Sequence, residues 1–343
     1  MSVNVHGGSD GLGPISHDFS SNAWPLPPPE SLQVALVGAD RQRYPDPAYA
    51  ALRQSLAHHE QLAAERVLPA AGGSEAIRRL SLAAKLAGIH EVFVPSPGFG
   101  DYAAAAQALG LAVHGYADAE ALCQALANSG PALVWACEPC NPTGSSFSSE
   151  DWARLQRALD DSGAILAVDL ACEPLRLDGQ SALPAALAEA CWRLQCPNKA
   201  LGLTGVRAAY LLAPHEDDAL RPHAEALAAS WVLSAEGVVL LEHWTRFAPA
   251  LELQRQQLRR WRDSQRALLA ELGWQQRPSC SNFWLARPPR PFAAAEHAAL
   301  RAAGIKLRDA ASFGMAGLLR VSVQPPVAQA ALKNVLEQMQ CLQ

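Results

Sequence analysis

Short apolar runs alternate with longer amphipathic stretches from Val67 onward, and this alternation is the clearest structural signal in the chain. The spacing predicts strands at 67–70, 92–95, 111–114, 132–137, 164–169, 192–196 and 208–212. Helices are predicted between them near 74–87, 100–109, 118–128 and 148–161. Apolar strands joined by helices predict an α/β fold with a mainly parallel central sheet covered on both faces. Ligands of such sheets collect at the carboxyl ends of the strands.

The pattern changes on either side of this region. Residues 1–30 are rich in Gly, Pro and Ser with little periodicity, which predicts an extended arm. Tyr44-Pro45-Asp46-Pro47 reads as a rigid turn before a helix from about Tyr49 to His59. After Ser234 a long helical stretch runs through Gln257–Leu272. Strands near 282–286, 305–308 and 317–323, with helices near 293–303 and 327–340, then predict a small α+β domain. The expected division is an arm at 1–30, a large domain at 31–240 and a small domain at 241–343.

A chain of 343 residues can bury a sizeable core and form one large and one small domain. The net charge of −5, with no basic block, argues against nucleic acid as the main partner. No apolar run is long enough to span a bilayer, and Met1–His6 shows no signal-peptide pattern. Eight irregularly spaced cysteines suit a reducing compartment, so a cytoplasmic protein is expected. Cys137-Glu-Pro-Cys140 has the C-x-x-C form, but no second pair or histidine follows at zinc spacing, which favours structural cysteines over metal.

Candidate chemistry centres on Lys199. Of four lysines, Lys85, Lys306 and Lys333 lie on polar or amphipathic segments, where a solvated surface charge is expected. Lys199 follows the apolar run ending at Pro197, precedes Gly202 and Gly205, and has Arg207 eight residues on. A lysine at the end of a buried strand can shed its proton and attack a carbonyl, and an arginine close behind suits a phosphate. A surface lysine beside glycines is the other reading. Gly72-Gly73-Ser74-Glu75 joins a strand to a helix and offers either an anion site or a simple cap. Asn141-Pro-Thr-Gly144 follows a strand and needs no function as a turn. Asp169 ends an apolar strand, where a carboxylate is costly without a cationic partner. Arg320 lies in an apolar run and calls for an anionic partner.

The order Gly-Ser-Glu, Asn-Pro-Thr-Gly, Asp, Lys-x-x-Gly-x-x-Gly-x-Arg resembles the fold-type I pyridoxal-phosphate (PLP) enzymes of the class I/II aminotransferase family. The opening His6-Gly7-Gly8 and Asp18-Phe19-Ser20-Ser21-Asn22 resembles the threonine-phosphate decarboxylases of the cobalamin pathway. The resemblance implies that Lys199 carries the cofactor and that Asp169 pairs with its ring nitrogen. It places Asn141 at the phenolic oxygen, and Gly73, Ser74, Glu75 and Arg207 at the phosphate. Phe99 or Tyr102 would stack on the ring, although core packing explains either aromatic equally well. Arg320 would bind the substrate carboxylate and Arg308 its distal phosphate, with Asn22 near the substrate. In a homodimer, Tyr44 and His6 would reach the neighbouring active site.

Four positions depart from the family pattern. Cys196 and Asn198 stand where hydroxyl residues are usual, Cys172 where an aromatic is common, and Leu170 where an acidic residue usually follows the aspartate. The activity the resemblance implies is decarboxylation of L-threonine O-3-phosphate, a small phosphorylated amino acid. The alternative is an aminotransferase of the histidinol-phosphate type.

Overall fold

The computed structural model describes residues 6–216 and 219–341; residues 1–5 of the expected arm and the last two of the expected small domain lie outside them. Seven strands form the main sheet in the spatial order Val67–Ala70, Ala209–Leu212, Trp192–Gln195, Ile165–Asp169, Ala132–Cys137, Glu91–Pro95 and Ala112–Tyr116. Helices Gly73–Leu86, Gly100–Ala108, Ala119–Leu126 and Ser149–Ser162 connect successive strands, as the periodicity predicts. The strands from Glu91 to Gln195 pair in parallel. Ala209–Leu212 runs antiparallel to both its neighbours, unlike the rest of the sheet. A parallel crossover needs a long connection, usually a helix. The loop from Cys196 to Ala208 contains no helix, so the chain turns straight back and leaves Lys199 at the bend.

The core is built from the apolar strands predicted by the pattern. Trp135, Trp192 and Tyr210 are fully buried in the sheet, and Trp152 seals the far face from its helix. The edge strand Ala112–Tyr116 is largely exposed. That exposure explains why the apolar pattern places it at 111–114, starting one residue and ending two residues early.

Beyond Ser234 the single long helical stretch resolves into two helices, Ala235–Trp244 and Ala248–Glu271. A four-stranded antiparallel sheet follows, built from Gln275–Gln276, Phe283–Arg287, Leu319–Ser322 and Arg308–Asp309. The predicted strand at 305–308 is split, because Ile305–Lys306 pairs instead with His17–Asp18 of the arm. Helices at Glu30–Val37, Ala185–Ala190 and Arg221–Ala226 have no counterpart in the sequence reading. Among the described residues, no helix is long and apolar enough to cross a membrane.

The arm is extended but well packed. Phe19 and Ser20 are fully buried, and the backbone around them pairs with Ser322 and Gln324. Lys306 is not the solvated charge expected of it. Its Nζ lies 2.9 Å from Asp10 Oδ2 and also donates to the Gly8 carbonyl, while Arg301 reaches Asp10 Oδ1 at 2.9 Å. The Lys306 bond, with a further one from the Leu12 amide, holds the Asp10 carboxyl down to about 2. Two cations thus fasten the first part of the arm to the other end of the chain.

Candidate active site

The loops at the carboxyl ends of the main strands, the arm and the C-terminal sheet enclose one cavity of about 610 Å³. This is ample for a cofactor and a small substrate. It is lined by Gly73, Ser74, Phe99, Asn141, Asp169, Lys199, Arg207, Arg308 and Arg320, together with His6 and Asn22 from the arm. Residues separated by some 300 positions in sequence therefore face one space.

Asp169 ends its strand at the floor of the cavity and is buried. Its Oδ2 accepts the Tyr102 hydroxyl at 2.6 Å and its Oδ1 the Ala171 amide at 2.9 Å. Tyr102, one of the two aromatics singled out, thus orients the carboxylate and stacks on Trp135. Phe99 lines the cavity beside it.

Lys199 also lines the cavity. The Trp24 amide donates to the Lys199 carbonyl at 2.8 Å, so the arm holds the lysine loop directly. Burial works against the Lys199 ammonium, but the Cys196 and Cys172 sulfurs and the Asp169 carboxylate outweigh it, and the pKa stands above the ordinary lysine value. In this cavity the facing groups therefore favour the protonated form of the amine.

One corner is built for an anion. Helix Gly73–Leu86 begins here, and the first amides of a helix have no partner within it. The guanidinium of Arg207 lies against Gly72, where a Cβ would fall 2.5 Å from Nη2. Glu75 does not turn its side chain into the corner. It accepts instead from the Ala71 amide and pairs with Arg79, so only its backbone remains at the helix start. Cys196 lies within the lining, its thiol bonded to Asn198 Oδ1 at 3.3 Å. Cys172 also lines the cavity, and burial pushes its thiol up to about 12.

On the opposite side, Arg308 and Arg320 sit directly across from each other on adjacent antiparallel strands, both buried. Arg320 donates to Asn141 Oδ1 and to the Ser20 carbonyl, and its Nε has no partner. Burial, and after it the Arg308 charge, lowers its pKa to about 9. Arg308 donates to Ser312 Oγ at 2.7 Å and lies over Phe313. Ser312 and Phe313 escaped the sequence reading, although the spacing of Ser312 from Arg308 on one short turn is a usable signal. Asn22 is buried, and its Oδ1 is without a partner.

The two residues expected to serve a neighbouring site lie apart. His6 lines this chain's own cavity, with Nε2 3.6 Å from Asp101 Oδ1. Gly7 beside it packs so closely on Ser20 that a Cβ would fall 2.1 Å from the Ser20 carbonyl oxygen. Tyr44 is outside the cavity, 76% exposed and stacked on Trp231. The Cys137 thiol donates to the Pro139 carbonyl at 3.4 Å and the Cys140 thiol to the Pro97 carbonyl at 3.8 Å. Among the described residues, no group of three or more His, Cys, Asp or Glu side chains could hold a metal ion.

The chain has clear relatives. A family model described as aminotransferase class I and II matches residues 17–339. Histidinol-phosphate aminotransferase 2 of Cupriavidus pinatubonensis is 31% identical over 344 residues, covering 92% of this chain and 88% of the relative. Among solved structures, the L-threonine-O-3-phosphate decarboxylase of Porphyromonas gingivalis superposes with a TM-score of 0.78 at 21% identity, covering 94% of this chain and 98% of that one. The histidinol-phosphate aminotransferase of Sinorhizobium meliloti, solved with pyridoxal-5'-phosphate, gives 0.78 at 22% identity, covering 95% and 92%.

Proposed function

The chain belongs to the class I and II aminotransferase family, and on that premise we propose that it is a pyridoxal-phosphate enzyme that decarboxylates L-threonine O-3-phosphate to (R)-1-aminopropan-2-yl phosphate, a step toward cobalamin. The lining suits the cofactor. Gly72 leaves the space that Arg207 fills, the helix start at Gly73 and Ser74 offers amides, and Asp169 is a buried acceptor at a strand end. Lys199 would hold the cofactor covalently, Asp169 its ring nitrogen, Asn141 its phenolic oxygen, Phe99 its ring face, and Gly73, Ser74 and Arg207 its phosphate. When bound, it supplies an electron sink for a substrate carbanion.

The observation that carries the substrate reading is the pair of facing guanidiniums. Like charges directly opposite on neighbouring strands repel, and burial strengthens the repulsion. A substrate with two anionic ends relieves this. Arg320, steadied by Asn141 and the arm, suits the carboxylate, and Arg308 with Ser312 suits the phosphate, near His6 and Asn22. Lys199 is placed in the same cavity to move a proton at Cα. In this reading the enzyme is a homodimer, the exposed Tyr44 reaching the neighbour's cofactor phosphate. Residues 31–240 hold the cofactor and 241–343 the substrate-side arginines.

The second reading, an aminotransferase of the histidinol-phosphate type, is favoured by the names of the sequence relatives. The two separate in one assay with pyridoxal phosphate and L-threonine O-3-phosphate. Release of CO₂ together with the amino alcohol phosphate, without any 2-oxo acid, supports decarboxylation. No CO₂, with histidinol phosphate consumed only when 2-oxoglutarate is supplied, overturns it.

A further inference from the structure

Three loops form the cavity wall around Asn141, Asp169 and Arg320, and one buried guanidinium outside the cavity lining ties them together. Arg176 donates from Nε to Glu173 Oε2 at 2.8 Å, and from Nη1 to Cys280 Sγ at 3.2 Å. From Nη2 it reaches Glu138 Oε2 at 3.2 Å and Ser146 Oγ at 3.0 Å. Glu138 is itself buried, and its Oε1 accepts the Phe147 amide at 2.8 Å.

These bonds span segments that each carry a lining residue. Glu138 and Ser146 bracket Asn141. Glu173 follows Asp169 and Cys172 in the same strand-end loop. Cys280 leads into the strand Phe283–Arg287, in which Leu285 pairs with Arg320. Backbone bonds run alongside, from the Leu177 amide to the Cys280 carbonyl at 2.7 Å and from the Cys280 amide to the Gly144 carbonyl at 2.9 Å. The planar fork of an arginine can serve several acceptors in fixed directions at once, which a lysine cannot.

We infer that Arg176, with Glu138, is a positioning residue that fixes Asn141 against Arg320 and so sets the grip on the substrate carboxylate. This rests on the carboxylate role proposed for Arg320. Arg176 acts through Asn141, and loss of the Arg176 fork lets the loop 138–147 settle away from Arg320. The cofactor's own contacts at Lys199 and Arg207 lie on other loops and are left in place.

The test uses the cofactor-loaded enzyme and two phosphate esters without an amine: 3-(phosphonooxy)propanoate, which carries a carboxylate, and ethyl phosphate, which does not. Dissociation constants are measured by calorimetry for the native enzyme, Arg176→Lys, Asn141→Ala and the double variant. Arg176→Lys is expected to shrink the native preference for the carboxylate ester by about tenfold, the worth of one charge-assisted hydrogen bond. Ethyl phosphate should stay within about twofold, and Arg176→Lys should add little once Asn141 is replaced. If Arg176→Lys does not fold, Glu138→Gln carries the same comparison, because it keeps the shape and the oxygen facing Phe147. Equal weakening of both esters, or additive losses in the double variant, overturns the inference. A native enzyme with no preference for the carboxylate ester overturns the substrate reading and the inference with it. A native preference that survives Arg176→Lys overturns the inference alone.

Discussion

Gly72→Ala tests the anion corner by sterics rather than by removal of a charge. Gly72 has φ 92° and ψ 168°, a conformation essentially reserved for glycine, so alanine strains the backbone by about 1–3 kcal/mol. Its methyl would also fall 2.5 Å from Arg207 Nη2 and 2.9 Å from Cζ. The guanidinium is the far end of a flexible side chain and can swing aside, so the clash adds little to the stability loss. It does move Arg207 off the corner. Arginine–phosphate hydrogen bonds are worth about 1.5–3 kcal/mol, which corresponds to a loss of about ten- to hundredfold in affinity. The measurement is a fluorescence titration with pyridoxal phosphate in a Lys199→Ala background, where covalent capture cannot mask the loss, beside a thermal melt. Arg207→Ala should weaken the cofactor by a similar factor, and the double variant should bind no worse than Arg207→Ala. A Gly72→Ala protein that melts earlier yet binds the cofactor as tightly as its parent would refute the placement of the phosphate at Arg207.

Two further outcomes follow from protonation states. The Lys199 pKa is raised, so the attacking free amine is scarce at neutral pH and grows as pH rises toward that pKa. Covalent capture of pyridoxal phosphate by cofactor-free protein should therefore speed about tenfold per pH unit between 7 and 9, followed by absorbance, and a flat profile would show that the facing groups do not hold the proton. Burial takes the Cys172 and Cys191 thiols up to about 12, whereas the neighbouring Cys137 side chain lowers Cys140. At pH 8 about one in ten thousand of the first two is thiolate. Iodoacetamide should mark Cys140 well before either, and early labelling of Cys172 in peptide maps would contradict that order.

Residues whose placement depends on their own segment were legible in the sequence. Asp169, Asn141 and Lys199 follow apolar strands, and a strand end in a largely parallel sheet is where ligands gather. Arg308 and Arg320 were legible as separate residues. Their face-to-face position comes from the antiparallel register, which no local pattern states. Lys306 was misjudged because its partner, Asp10, lies almost 300 residues away and only the folded arm brings the two together. Glu75 looked like part of the anion corner, but four residues on its helix carries Arg79, whose buried charge claims the carboxylate. The reversed strand Ala209–Leu212 is as apolar as its neighbours, so only its helix-free connection hinted at its direction.

The side of the cavity proposed for the substrate is assembled by long-range contacts, unlike the side proposed for the cofactor. The groups proposed for the cofactor lie on consecutive strand-end loops of one sheet, each positioned by its own strand. Arg320 is held by Asn141, 179 positions away, and by the Ser20 carbonyl, 300 positions away. The arm that provides Ser20 is in turn fixed by Gln324 at Asp18, by Asn282 at Asn22 and by Lys306 at Gly8. Each bond is modest beside the cost of ordering a glycine-rich segment. Together they make the grip proposed for Arg320 depend on the docked arm. The arm also touches the proposed cofactor side, through the bond from the Trp24 amide to the Lys199 carbonyl and the packing of Trp24 and Leu26 on Gly202. Changes at Ser20 and Asp18 are therefore expected to act first on which anion Arg320 accepts, and changes at Trp24 on the lysine loop.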